Sequence, residues 1–195
     1  MRRTVRSALA ALLALAGATA AFAQPSMPVD RAVLSGEART PFLVNGAPPA
    51  GPRGAALRAA AAARPDAESC LRPEARGADP ADLLAFDWAG LRSLKEAQVC
   101  LFRLADTLGS PQGVEIWMAA SGLGPIWSGP SRDENRAFTR TAVSGLMTAD
   151  QAMDRTALLD GAARLHAVMT RPRLEFAVRF AADGSVHGTQ VWRLP

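Results

Sequence analysis

The two histidines, His166 and His187, are the side chains of this sequence best suited to general acid–base chemistry near neutral pH. No His, Asp or Glu lies four residues from His166 to make a helical metal pair. The candidate serines Ser121, Ser128 and Ser144 each precede a glycine, but none lies within the Gly-x-Ser-x-Gly pattern of a nucleophile elbow. The sequence therefore predicts no catalytic set, no metal site and no cofactor. A small hydrolase using His166 or His187 remains the catalytic alternative.

A segment rich in tryptophan, glycine and proline is the best candidate for recognition. Trp127 lies between Gly124-Pro125 and Gly129-Pro130, Ile126 precedes it, and Trp117 lies upstream on the segment that leads into these turns. Tryptophan dominates the energetics of many binding interfaces. We therefore predict that Trp117, Ile126 and Trp127 contact a partner, either an envelope protein or a glycan.

The chain has two cysteines, Cys70 and Cys100. They have no Cys-x-x-Cys spacing, and an even count in an exported chain favours a structural disulfide. We predict that Cys70 and Cys100 pair with each other.

The N-terminus has the features of an export signal. Three arginines precede an Ala- and Leu-rich run over residues 8–21, and Ala21-Phe22-Ala23 fits signal peptidase. We expect cleavage before Gln24 and a periplasmic or secreted protein. No later apolar run reaches 18 residues, so the sequence predicts no membrane span.

The charge of the mature chain argues against a nucleic-acid partner. Three of the 22 basic residues and none of the 18 acidic residues lie in 1–23, which leaves 19 basic residues and a net charge of +1. Such a balance offers no strong basic field for phosphates.

Composition divides the chain into three parts. Residues 1–23 form the expected signal peptide, and residues 24–64 have the Pro- and Ala-rich composition of a linker or disordered arm. Residues 65–195 carry the amphipathic patterns of one folded domain.

The local patterns predict helices first. Asp79-Pro80 resembles a helix start, with a short helix running to Trp88. Residues 91–108 place leucines on one face and end at Gly109. Thr148 and Gln151 have the spacing of a capping box, which opens a helix over residues 149–169.

Strands are expected between and after these helices. Residues 113–119 alternate apolar side chains with period two, which is typical of a strand. Residues 138–147 fit helix or strand equally well. Asp183-Gly184 separates two alternating segments and predicts a C-terminal hairpin.

The hairpin loop determines which side chains are buried, because a one-residue slip exchanges the two faces. A two-residue turn pairs Phe180 with His187 and Phe176 with Val191. A three-residue loop with Gly184 as the bulge pairs Phe180 with Val186 and Leu174 with Trp192. We predict the second register, which places four residues on the outer face: His187, Thr189, Val191 and Arg193.

Together these patterns predict an α+β fold, with helices followed by a small antiparallel sheet that ends in the hairpin. The function they favour is that of an exported, non-catalytic binding or accessory protein of the bacterial cell envelope. An inhibitor or chaperone-like module that captures clients at a sheet edge is the other alternative.

Overall fold

The chain folds into helices followed by an antiparallel sheet, as the sequence predicts. The computed structural model describes residues 25–34, 50–130, 141–159, 171 and 173–194. The helices in chain order are α1 (Arg31–Leu34), α2 (Gly51–Ala63), α3 (Leu94–Leu108), α4 (Pro111–Ala120) and α5 (Ala149–Arg155). The strands are β1 (Pro28–Val29), β2 (Ala81–Asp82), β3 (Ile126–Pro130), β4 (Thr141–Met147), β5 (Arg173–Phe180) and β6 (Val186–Leu194).

Two antiparallel sheets are present among the described residues. A short pair joins β1 to β2, and the main sheet has the order β3-β4-β5-β6. Helix α3 packs against β5 and β6, while α4 packs against β3 and β4. The core lies between these helices and one face of the main sheet, with Trp117, Phe176 and Phe180 among its largest fully buried side chains.

Helix α3 confirms the helix expected over residues 91–108, with a start three residues later. Ser93 caps the helix, since its side chain accepts a hydrogen bond from the Glu96 backbone N–H. The helix ends at Gly109, whose φ of +64° lies in the left-handed region that glycine adopts without strain.

The strand predicted over residues 113–119 is wrong, because this segment is helix α4. Ser110 caps α4 by accepting a hydrogen bond from Gly113 N–H, and Pro111 occupies the first turn. Val114, Trp117 and Met118 are buried, at the three- and four-residue spacing of a helix face. The period-two pattern included Ile116, which is 61% exposed on the opposite side.

The helix predicted from Asp79-Pro80 to Trp88 is also wrong. Asp79 does not cap a helix, because this segment forms β2 and a set of turns in which the Asp82 side chain binds backbone N–H groups. Its Oδ1 accepts hydrogen bonds from Met27 N–H and Leu84 N–H, both at 2.9 Å. Trp88 follows these turns and packs against core aromatic rings.

The hairpin combines features of both registers considered for it. Ala181 N–H donates to Ser185 O, so the loop is the three-residue one, and Phe180 pairs with Val186 as predicted. A β-bulge follows, and from Arg179 opposite Gly188 onward the register is that of the two-residue turn. The extra residue is His187, which is exposed.

The bulge overturns two consequences of the predicted register. Leu174 lies opposite Arg193 instead of Trp192. Thr189 and Val191 were expected on the outer face, but they are 3% and 5% exposed and face the core. Only a residue inserted between the turn and Gly188 reverses the faces in this way.

Two further segments are now assigned. The ambiguous residues 138–147 include strand β4. The Thr148–Gln151 capping box is confirmed, but α5 ends at Arg155, and Thr156 has extended backbone. The rest of the predicted helix from residue 160 onward, including His166, lies outside the described residues.

The predicted arm contacts the domain in the parts that the structure describes. Strand β1 pairs with β2, Leu34 is 2% exposed in the core, and α2 packs against α3. The boundary at residue 65 stays a prediction. The expected signal peptide and its cleavage site lie outside the described residues.

The predicted disulfide between Cys70 and Cys100 is present. It joins the short 3₁₀ helix Glu68–Cys70 to the middle of α3, and both cysteines are buried in the core. The link therefore connects the loop-rich first half of the domain to its main helix.

Candidate binding surface

The main sheet has one face in the core and one face that carries an open trough. Alternate residues of β5 show the division, since Phe176 and Val178 point into the core and Glu175, Ala177 and Arg179 line the trough. The trough has a volume of about 530 Å³. Its described lining residues are Pro125, Ile126, Trp127, Ala142, Ser144, Leu146, Glu175, Ala177, Arg179, Trp192 and Leu194.

Small side chains form the floor of the trough, and tryptophans form its two sides. The floor lies on the central strands, with Ala142 and Ser144 on β4 and Ala177 on β5. Trp127 stands on β3 and Trp192 on β6, which are the outer strands of the sheet. Three strand spacings separate β3 from β6, so the trough is about 14 Å wide between backbones.

Trp127 lies flat along its own strand, and a glycine makes this possible. A Cβ atom at Gly129 would lie 3.0 Å from Cζ2 of the indole. Because glycine has no side chain, the ring rests over this position. Trp127 remains 41% exposed, so part of the indole faces solvent.

Three polar side chains, those of Ser144, Glu175 and Arg179, interrupt the apolar lining. Arg179 donates from Nη2 to Gln190 Oε1 at 2.8 Å, which holds its guanidinium over β6. Glu175 lies opposite Trp192 in the register, two residues from Ala177 along β5. The two charges therefore stand at opposite ends of the floor, about 13 Å apart along the strand.

No family model matches this chain, and neither curated proteins nor solved structures contain a match for it. The chemistry of the trough is therefore the basis for any functional conclusion.

The structure separates the three residues predicted to bind a partner. Trp117 is fully buried on α4, and its Nε1–H donates to Leu83 O at 3.0 Å. Ile126 packs against the core and borders the trough. Trp127 alone presents much of its side chain to solvent. Binding by these residues stays a prediction, and the geometry favours Trp127 as the one to carry it.

Sequence reasoning missed the other side of the trough. The predicted register pairs Trp192 with Leu174, and the bulge at His187 places it opposite Glu175 on the trough face instead. The floor residues of β4 were missed because that segment was ambiguous. Val191 and Trp192 are adjacent in one strand, so their side chains point to opposite faces. Placing the apolar Val191 in the core would have placed Trp192 on the trough face.

The histidines do not contribute to the trough as described. His187 is exposed at the bulge and is not among the lining residues. His166 lies outside the described residues. Within the described ranges no group of three metal-ligating side chains occurs, and none of the helices has the length and apolarity to cross a bilayer.

A second cavity, also of about 530 Å³, lies between the 82–89 turns and the end of α4. Its charged groups already make internal contacts. Asp82 accepts two backbone N–H groups, and Arg155 donates from Nη1 to Ser121 O at 2.8 Å. These bonds hold the turns and α5 in place, so this cavity has a structural explanation.

Proposed function

We propose that the chain is an exported, non-catalytic binding protein of the bacterial cell envelope, and that the trough is its contact surface. One observation carries the proposal: among the described residues, a sheet face between two tryptophans is open where a sheet of this size would be expected to be covered or polar. The N-terminal signal pattern and the buried Cys70–Cys100 disulfide support an oxidising compartment.

The lining favours a protein partner over a glycan. Apolar side chains predominate, with Leu146, Leu194 and Pro125 beside the two indoles. A sugar carries hydroxyl groups on its whole rim and needs many polar partners, whereas an apolar protein surface needs only desolvation and shape. A glycan is therefore an alternative result of the experiment below.

The experiment is cross-linking in intact cells, followed by purification of the chain and mass spectrometry of whatever is attached. Trp127→Ala removes the exposed indole without touching the core. We expect it to reduce recovery of the partner about 30-fold, the effect of losing about 2 kcal/mol at an interface hot spot.

The matched control is Ile116→Ala, which removes a 61% exposed apolar side chain on α4, away from the trough. It should leave recovery unchanged. Identification of either another envelope protein or a second copy of the chain by mass spectrometry would support the proposal. Absence of any cross-linked protein that depends on Trp127 would overturn the proposal, and recovery of glycan in its place would replace the protein partner.

A further inference from the structure

The outer face of the sheet has an uneven distribution of large and small side chains across the strands. Residues that face one another on neighbouring strands form rows. One row is mostly bulky: Pro125, Leu146, Glu175 and Trp192. The row four residues away along each strand holds three small residues and one arginine: Gly129, Ala142, Arg179 and Gly188. The row between them contains Trp127, Ser144, Ala177 and Gln190.

We infer that the trough is self-complementary and that its partner is a second copy of this chain, packed face to face about a two-fold axis. The inference rests on the proposed function, because it assigns an occupant to the same trough. The axis runs along the middle row, above Ser144 and Ala177. Rotation about it places the bulky row of each copy over the small row of the other, strand by strand.

The charges match under this rotation. Glu175 and Arg179 lie on the same strand, two residues to either side of Ala177. The two-fold axis therefore brings Glu175 of each copy opposite Arg179 of the other, and forms the ion pair twice. The Gln190 hydrogen bond already holds the guanidinium over this face. Arginine is well suited to such a pair because its fork binds a carboxylate in two places.

The shapes match at the same time. Trp192 of one copy meets Gly188 of the other, and no described atom lies within 4 Å of where a Cβ at Gly188 would be. Leu146 meets Ala142, the smallest side chain on the floor of β4. Pro125 meets the indole that rests over Gly129. Facing sheets pack about 10 Å apart with strands within about 30°, which is close enough for these contacts.

An unrelated partner protein would not require the bulky row and the small row of this chain to complement each other in size and charge. Charge and size that complement themselves about one axis are the expected property of an isologous interface, in which the same patch serves both copies. The pattern therefore favours a second copy over an unrelated protein.

Charge reversal tests the pairing directly. The full mature chain, with its disulfide formed, is studied by sedimentation equilibrium as wild type, Glu175→Arg, Arg179→Glu and an equimolar mixture of the two variants. The wild type should dimerise. Each variant alone should dimerise about a hundredfold more weakly, because both of its pairs become like-charged.

The mixture should recover the dimer, because each reversed charge then faces a charge of the other sign in the second chain. Recovery also shows that both variants are folded. Asp154→Arg reverses an exposed charge on α5, outside the trough, and should dimerise like the wild type.

Proximity across the axis provides a second measurement if the charge variants fail to fold. The chain has no cysteine beyond the disulfide pair. Ala177→Cys should therefore yield a covalent dimer with a short bis-maleimide, whereas Asp154→Cys should not.

Three results would overturn the inference: a monomeric wild type, a dimer that tolerates both single reversals, or a mixture that stays monomeric. Capture of a different envelope protein by a monomeric chain would overturn this inference alone. If the wild type formed no cross-link that Trp127→Ala abolishes, the proposed function would be overturned as well.

Discussion

Arg64 shows how a single side chain can organise the loop-rich half of this domain. Its Nη1 donates to Ser69 O and its Nη2 to Gly90 O, both at 2.6 Å. Its guanidinium also pairs with Glu96 at 3.4 Å and Asp87 at 3.9 Å. The arginine side chain is 11% exposed, so water compensates little when these contacts are lost.

We predict that Arg64→Met lowers the free energy of unfolding by about 3 kcal/mol, because two carbonyl groups each lose a hydrogen bond and two carboxylates each lose an ion-pair partner. Arg64→Lys should lose about half as much, since an ammonium group carries the charge but cannot span both carbonyls. Denaturant unfolding measures both. Arg53→Met, at an exposed position on α2, the helix that ends just before Arg64, should change stability by less than about 0.5 kcal/mol. Equal losses at residues 53 and 64 would contradict this account.

At the scale of elements, the bulge in β6 is the feature that assigns side chains to the two faces of the sheet. His187 is the extra residue, and from Gly188 onward every residue lies on the face opposite to the predicted one. Thr189 then reaches α3, where its Oγ1 donates to Gln98 O at 2.7 Å. Trp192 reaches the trough instead of the core.

Deletion of one residue tests this. Deleting His187 removes the bulge and keeps all later pairs, so the variant should remain folded with little loss of stability. Deleting Gln190 forces either Thr189 or Val191 off the core face. That variant should be at least about 2 kcal/mol less stable than the first. Thermal unfolding followed by circular dichroism compares the two, and equal midpoints would show that the bulge does not set the register.

The elements that sequence could identify are those with local signals. Ser93 and Gly109 bound α3, and Thr148 with Gln151 caps α5, because these contacts span only a few residues. Helix α4 was mistaken for a strand although it has a local signal, the Ser110 cap followed by proline. In the sequence, the period-two alternation of apolar side chains around Val114 indicates a strand more strongly than the cap indicates a helix.

At the scale of the whole molecule, the trough could not be predicted because it depends on the registers of four strands. Its two tryptophans are 65 residues apart in sequence, and they share a face only after β4 and β5 are placed between them. Trp127 could be identified from the tryptophan, glycine and proline content of its segment and from the turns beside it. Placing Trp192 on this face requires knowledge of the bulge, and placing the floor requires knowledge of β4. Neither the bulge nor β4 has a decisive local pattern in the sequence.

The disulfide stabilises the molecule as a whole, and its contribution to the free energy of unfolding depends on the length of chain that it closes. Cys70 and Cys100 are 30 residues apart, and closing a loop of that length stabilises the folded state by about 3–4 kcal/mol in the chain-entropy model. We predict that the Cys70→Ala/Cys100→Ala variant loses this amount in denaturant unfolding.

Reduction provides the control for this prediction. The wild type unfolded with excess dithiothreitol should match the double variant, since both have an open loop in the unfolded state. Both cysteines are at most 1% exposed, so reduction under native conditions should proceed only as fast as the surrounding structure opens. A wild type that is reduced rapidly while its circular dichroism stays native would contradict this.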